Sequence, residues 1–212
     1  MTTSPRVIFI HGLWMPGRES HWFRQRLATK HAFEPVLFSY RSRLESLDDV
    51  LEHMNQSIRA LRADRVHVVG HSLGGLLALR LFERYPEQPP GRVVLLGSPV
   101  QGSVAARRLG SAQAGQRLLG KIATQVLVAK HEAAWLQPRE LGVIAGTRPV
   151  GLGRVITRFQ EPNDGTVAAR ETEIAGATDR ITLPVSHFGM MLSARVVDQT
   201  ARFLSHGSFS LA

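Results

Sequence analysis

The chain has 212 residues, 43% of them hydrophobic and 20% charged, with a formal net charge of +9 and no cysteine. This balance is that of a globular protein and argues against a disordered chain, and no apolar run approaches the roughly 20 residues of a membrane helix. The lack of cysteine excludes disulfides and thiolate metal sites.

The length fits one domain, residues 1–212, large enough to bury a substantial core. The positive charge is almost all arginine, since Lys30, Lys121 and Lys130 are the only lysines. No basic run is longer than Arg107-Arg108, and no aromatics are interleaved with the arginines. The excess therefore predicts a solvated face with weak attraction to anionic surfaces and no specific nucleic-acid binding. Met1 to Pro5 carries no basic region, apolar h-region or cleavage site, so a cytoplasmic location is the expectation.

Val7-Ile8-Phe9-Ile10 reads as a buried strand that ends in the turn His11-Gly12-Leu13-Trp14. Ser20 is placed to cap a helix over His21 to Lys30, and Pro35 to Phe38 reads as a second strand. From about Ser46, Leu47, Val50, Leu51, Met54, Ile58 and Leu61 recur at three and four residues, the pattern of a helix packed on a sheet. Arg65 to Val69 is an apolar run too short for a helix. It enters Gly70-His71-Ser72-Leu73-Gly74 and then a helix through Leu76, Leu77, Leu79, Leu81 and Phe82. Reversing the backbone within so few residues predicts a strained Ser72, with Gly70 and Gly74 at positions where a Cβ would collide. The hydroxyl is then lifted clear of the sheet at the positive end of a helix.

Arg92 to Leu96 is a further buried strand, closed by Gly97-Ser98-Pro99. Gln101 to Leu141 is rich in Ala and Gly, with one expected helix through Leu118, Leu119, Ile122, Val126 and Ala129, and reads as a short cap-like or connecting segment. Gly142 to Gly146 and Ile181 to Val185 are the last strands, separated by the turn-forming cluster Glu161 to Val167. Ser186-His187-Phe188-Gly189-Met190-Met191 and a closing helix through Val196, Val197, Thr200 and Phe203 complete the chain. Apolar strands alternating with amphipathic helices predict an α/β fold, a parallel sheet with helices on both faces. Sites in such sheets lie at the carboxyl ends of the strands, where His11, Ser72 and Ser98 fall.

Set between a strand and a helix, Gly70-His71-Ser72-Leu73-Gly74 resembles the nucleophile elbow of the α/β-hydrolase superfamily. The strand running into His11-Gly12 resembles the loop that supplies half of that superfamily's oxyanion hole. The resemblance covers essentially the whole chain and is closest to small, nearly capless bacterial lipases and esterases. The Asn163 to Val167 and Ser186 to Met190 segments also look like the inositol-deacylase-like branch. It implies an α/β-hydrolase fold with a minimal cap and a serine hydrolase of carboxylic esters or related acyl compounds. Ser72 is then the nucleophile, the backbone N–H groups of Leu13 and Leu73 are the oxyanion donors, and neither cofactor nor metal is required. Thioesterases, acyltransferases and deacylases use the same machinery, and a binding protein on a hydrolase-like fold is the reading without catalysis.

A serine nucleophile needs a base. His21, His31 and His53 fall in or beside helices, His67 lies within a strand, His131 in the cap-like segment and His206 near the tail. His71 is expected to pack beside the elbow. His187 directly follows the last strand, at the edge where Ser72 must be, and is the expected base. For the acid that orients it, Asp164 lies in a loop able to reach the same edge, and Glu161 in that loop is its rival. Asp179 precedes the last strand and should lie at the opposite end of the sheet. Trp14, Phe188, Met190 and Met191 are candidates to line an apolar pocket, although each also suits a core.

Overall fold

The computed structural model describes residues 5–128, 134–151 and 159–210. Ala129 and His131, named above, lie outside them. Six strands form one parallel sheet: β1 (Arg6–Ile10), β2 (Glu34–Phe38), β3 (Val66–His71), β4 (Val93–Leu96), β5 (Leu141–Gly146) and β6 (Asp179–Leu183), in the order β2-β1-β3-β4-β5-β6. Among the described residues the α-helices are α1 (His21–His31), α2 (Leu47–Ala60), α3 (Leu73–Arg84), α4 (Val104–Leu109), α5 (Gln113–Ala123) and α6 (Ala194–His206).

Successive strand residues face opposite sides, and each side has its own core. Ile8, Ile10, Val66 and Val68 pack with Val50, Met54 and Ile58 of α2 and Leu77 and Leu81 of α3. Val7, Phe9, Val69 and Val94 pack with Phe23 and Leu27 of α1 and Val196, Val197 and Phe203 of α6. Every residue of β3, β4 and β5 is buried, which is why these strands read as mostly apolar runs, broken in β3 by His67 and His71. No helix among the described residues is long and apolar enough to cross a membrane.

Three expectations shift. Ser20 does not cap α1; its hydroxyl donates to the Gly17 carbonyl at 2.6 Å and closes a 3₁₀ turn over Arg18–Ser20. Ser46 does cap α2, accepting from the Asp49 N–H at 3.2 Å. The last strand starts at Asp179, two residues early, and stops before Pro184, which has no N–H for the ladder. Between Gln101 and Leu141 there are two helices rather than one, and α5 is kinked at Gly120, where φ is 82°. Leu118 is 44% exposed, while Leu119 and Ile122 are buried.

At the amino end of the sheet His67 is 2% exposed, and its Nδ1 accepts from the Arg92 N–H at 3.0 Å. Burial, helped by the guanidinium groups of Arg92, Arg65 and Arg139, pushes its pKa down from 6.5 to about 4. Between those values the unfolded chain binds the proton and the folded chain does not. Stability is therefore lost as pH falls from 6.5 towards 4, by on the order of 3 kcal/mol from this group. His67→Asn retains an acceptor in place of Nδ1 but cannot titrate. Its midpoint of thermal unfolding should be lower than wild type at neutral pH and fall less steeply between pH 6.5 and 4. Parallel pH profiles for the two proteins would contradict this.

Candidate active site

The carboxyl ends of β1, β3, β4, β5 and β6 converge on one site. At its centre β3 passes directly into α3 through Ser72, whose φ of 53° and ψ of −120° lie outside the usual wells for a side-chain-bearing residue. The turn is this tight because α3 sits on the backbone of its neighbours. A Cβ at Gly74 would stand 2.2 Å from the Ile10 oxygen, and one at Gly70 would stand 2.5 Å from the Gly75 Cα. Ser72 Oγ has no hydrogen-bond partner among the described residues.

The turn after β1 is braced by His11. Its Nδ1–H donates to the Gly12 carbonyl at 2.9 Å, and its Nε2 accepts from the Tyr40 N–H at 3.3 Å. The Tyr40 hydroxyl donates to the His11 carbonyl at 3.0 Å, and the two rings stack with centroids 4.3 Å apart. With both nitrogens committed, the ring stays neutral; its pKa is lowered by burial. A Cβ on Gly12 would lie 3.2 Å from the Ser72 Cβ, so this turn runs against the serine. Among the described residues neither the Leu13 N–H nor the Leu73 N–H has an acceptor. Leu73 opens α3, where the helix dipole favours negative charge.

Asp164 is 1% exposed and His187 is 8% exposed. They exchange two hydrogen bonds: His187 Nδ1 lies 2.6 Å from Asp164 Oδ2, and the His187 N–H donates to the Asp164 carbonyl at 2.8 Å. The other carboxylate oxygen, Oδ1, accepts from the N–H groups of Thr166 and Val167 at 2.9 and 2.7 Å. Asp164 thus builds its own turn with one oxygen and holds the imidazole with the other. The long connection after β5 returns to where it left, since a Cβ on Gly146 would lie 2.7 Å from the Asp164 Cβ. Glu161 lies outside this pairing, bonded to Arg170 at 2.9 Å on the surface. Asp179 lies at the start of β6, where it accepts from the Phe209 N–H at 2.7 Å. Ser98 is buried and donates weakly to the Gly70 carbonyl, 3.5 Å away.

Ser72 and His187 line one cavity of about 360 Å³, with Gly12, Leu13, Trp14 and Phe188 at its mouth and sides. Met190 and Met191, open in the sequence between pocket and core, are not in the lining. Both are fully buried in the core against α1 and α6. The residues after His187 form a 3₁₀ turn over Phe188–Leu192, which leaves Phe188 half exposed and turns both methionines under. The far wall went unread in the sequence: Ala105, Ala106 and Leu109 of α4, Leu119 of α5 and Leu127 beyond it. The Trp14 indole N–H donates to the Leu118 carbonyl at 3.0 Å and ties this wall to the turn after β1. Among the described residues no group of three or more His, Asp or Glu side chains is arranged to hold a metal ion.

The sequence model of the Alpha/beta hydrolase family matches residues 7–203, nearly the whole chain. The chain belongs to this family. It is 26% identical over 103 residues to a Cronobacter turicensis protein named "putative carbamate hydrolase RutD". That match takes in 44% of this chain and 38% of the relative, so the chain spans well under half of the relative's length. The mature Bacillus licheniformis lipase BlEst2 superposes with a TM-score of 0.69 at 20% identity, over 90% of this chain and 88% of that one. The thioesterase RedJ of Streptomyces coelicolor gives 0.59 at 15% identity, over 95% and 84%. At these identities the two structures establish a shared fold and nothing finer.

If Asp164 orients His187, Asp164→Asn should lower turnover of an activated ester by up to about 10⁴-fold, by forcing the wrong tautomer. Glu161→Gln should leave the rate unchanged. A dead Glu161→Gln protein beside an active Asp164→Asn protein would transfer the role to Glu161.

Proposed function

We propose that this hydrolase cleaves carboxylic esters through an acyl-enzyme on Ser72. The observation that carries this reading is the buried 2.6 Å contact of Asp164 with His187, on the wall of the apolar cavity that Ser72 also lines. His187, its Nδ1–H held by the carboxylate, takes the Ser72 proton at Nε2 as Oγ attacks the acyl carbon. The N–H groups of Leu13 and Leu73 hold the oxyanion. Collapse expels the alcohol, which leaves with the proton from His187. A water then gives its proton to His187 and attacks the acyl carbon, and the second collapse releases the acid and restores Ser72. Every step uses groups of this chain and one water.

The acyl side is read from the cavity. Its walls are Leu13, Leu109, Leu119, Leu127, Val167 and Phe188, which suit an alkyl chain and offer little to a charged one. Each methylene buried there contributes ~0.8 kcal/mol, about fourfold in kcat/KM. The same chemistry on a carbamate is the second reading, favoured by the partial likeness to RutD. The apolar walls support the ester first.

Ser72→Ala should stay folded and lose ester turnover by on the order of 10⁴ or more. A fluorophosphonate probe should label the wild-type protein at Ser72 and leave the variant untouched. An unlabelled wild type would indicate a binding protein on a hydrolase-like fold. Across p-nitrophenyl esters, kcat/KM should climb from acetate to octanoate and then flatten towards palmitate, because the cavity is finite. A steady rise to palmitate would mean that α4 and α5 swing away to admit longer chains. A carbamate turned over faster than every ester would favour the second reading.

A further inference from the structure

His71, the residue before the nucleophile, takes no part in the steps above, yet it is fully buried between both loops of the site. Its Nε2 lies 3.1 Å from the backbone carbonyl of His187, and the two ring centroids are 4.7 Å apart at 43°. Its other edge faces the turn after β1, where a Cβ on Gly12 would lie 3.2 Å from Nδ1. That Nδ1 is buried with no hydrogen-bond partner. A carbonyl only accepts, so Nε2 carries the proton and Nδ1 is a bare lone pair. Charging the ring would place a second N–H against Gly12 with nothing to receive it, beside the imidazoles of His187 and His11. Burial, followed by the neighbouring His187, accordingly sets its pKa well below the usual value.

The bonds that hold His187 show what this one adds. Asp164 takes the ring Nδ1–H and the backbone N–H, which fixes the base to the acid loop. Neither bond fixes it relative to Ser72. Among the described residues, the hydrogen bond that joins the elbow to the turn bearing His187 is the one from His71. We propose that His71 is a positioning residue, which through Nε2–H locks the backbone of His187 to the residue next to Ser72 and so sets nucleophile and base in register. This rests on the assignment of Ser72 and His187 above.

The donor can be moved without removing the amide chemistry. Gln places an N–H at the same number of bonds from Cα as Nε2, and Asn places one where Nδ1 stood. His71→Asn should therefore lower kcat, and the rate of fluorophosphonate labelling at Ser72, by on the order of 10²-fold with KM little changed. His71→Gln should recover most of that loss. Labelling of both variants at the wild-type rate would overturn the proposal. So would equal slowing of two folded variants, since the ring's bulk and not its donor would then matter. In the wild-type protein, long-range ¹⁵N–¹H correlation should find His71 neutral and protonated at Nε2 at pH 7. A charged ring, or a proton at Nδ1, would overturn the proposal even if neither variant folds. A wild-type protein that is never labelled at Ser72 would instead remove the hydrolytic reading, with the tautomer still measurable.

Discussion

The site depends on one constraint: a strand buried in the middle of a parallel sheet has to become a helix across a single residue, Ser72. β3 lies between β1 and β4 and is buried along its length, so it cannot shift to relieve the turn. α3 lies so close to β1 that only glycine fits at position 74. Ser72 absorbs the mismatch in its backbone, at a cost of roughly 1–3 kcal/mol for such a conformation. The burial of α3 is larger. Leu77, Leu81 and Phe82 are fully enclosed, and each contributes roughly 1.5–3 kcal/mol relative to exposure. Packing therefore outweighs strain, and the strained hydroxyl stays presented at the start of a helix.

The same crowding gathers three imidazoles at the end of the sheet and sorts them by their partners. His11 has spent both nitrogens on the turn after β1. His71 gives its proton to a carbonyl and has no acceptor for a second one. Burial opposes positive charge on either ring, at His11 by more than the Glu19 carboxylate and the ring's hydrogen bonds offset. Of the three, only His187 is hydrogen-bonded to a carboxylate, at 2.6 Å. In the proposed cycle the Ser72 proton is taken at that ring.

How much of this was legible in the sequence varied with the local physics. The central strands and the elbow read directly, because Val66 to Val69 and Val93 to Leu96 are buried on both faces and leave mostly apolar runs. The parallel α/β sheet follows from their alternation with helices, and its kinship with the α/β-hydrolases from the resemblance of the Gly70 to Gly74 turn and the His11-Gly12 loop. β6 began earlier than expected because it is an edge strand, and its alternating burial at Asp179 and Arg180 hides in charged residues. Met190 and Met191 stood open between pocket and core, because an apolar run of Phe188, Met190, Met191 and Leu192 carries no pattern that says which side chains turn under; in the fold both methionines are buried while Phe188 and Leu192 are exposed. The wall from α4 and α5 was missed because small residues carry little periodicity. Gly115, whose Cβ would strike the Leu109 oxygen at 1.7 Å, exists to bring those helices together, and no apolar pattern announces it. The bond from His71 to the His187 carbonyl joins residues 116 positions apart, and a single sequence holds no signal for it.

The most direct test of this account is a crystal structure of the protein after reaction with an alkyl fluorophosphonate. The account predicts phosphorus bonded to Ser72 Oγ, the phosphonyl oxygen between the Leu13 and Leu73 N–H groups, and His187 Nε2 within hydrogen-bonding distance of Oγ. It also predicts the alkyl chain lying along Leu119 and Leu127. An adduct on another residue, or a phosphonyl oxygen turned away from both N–H groups, would contradict it.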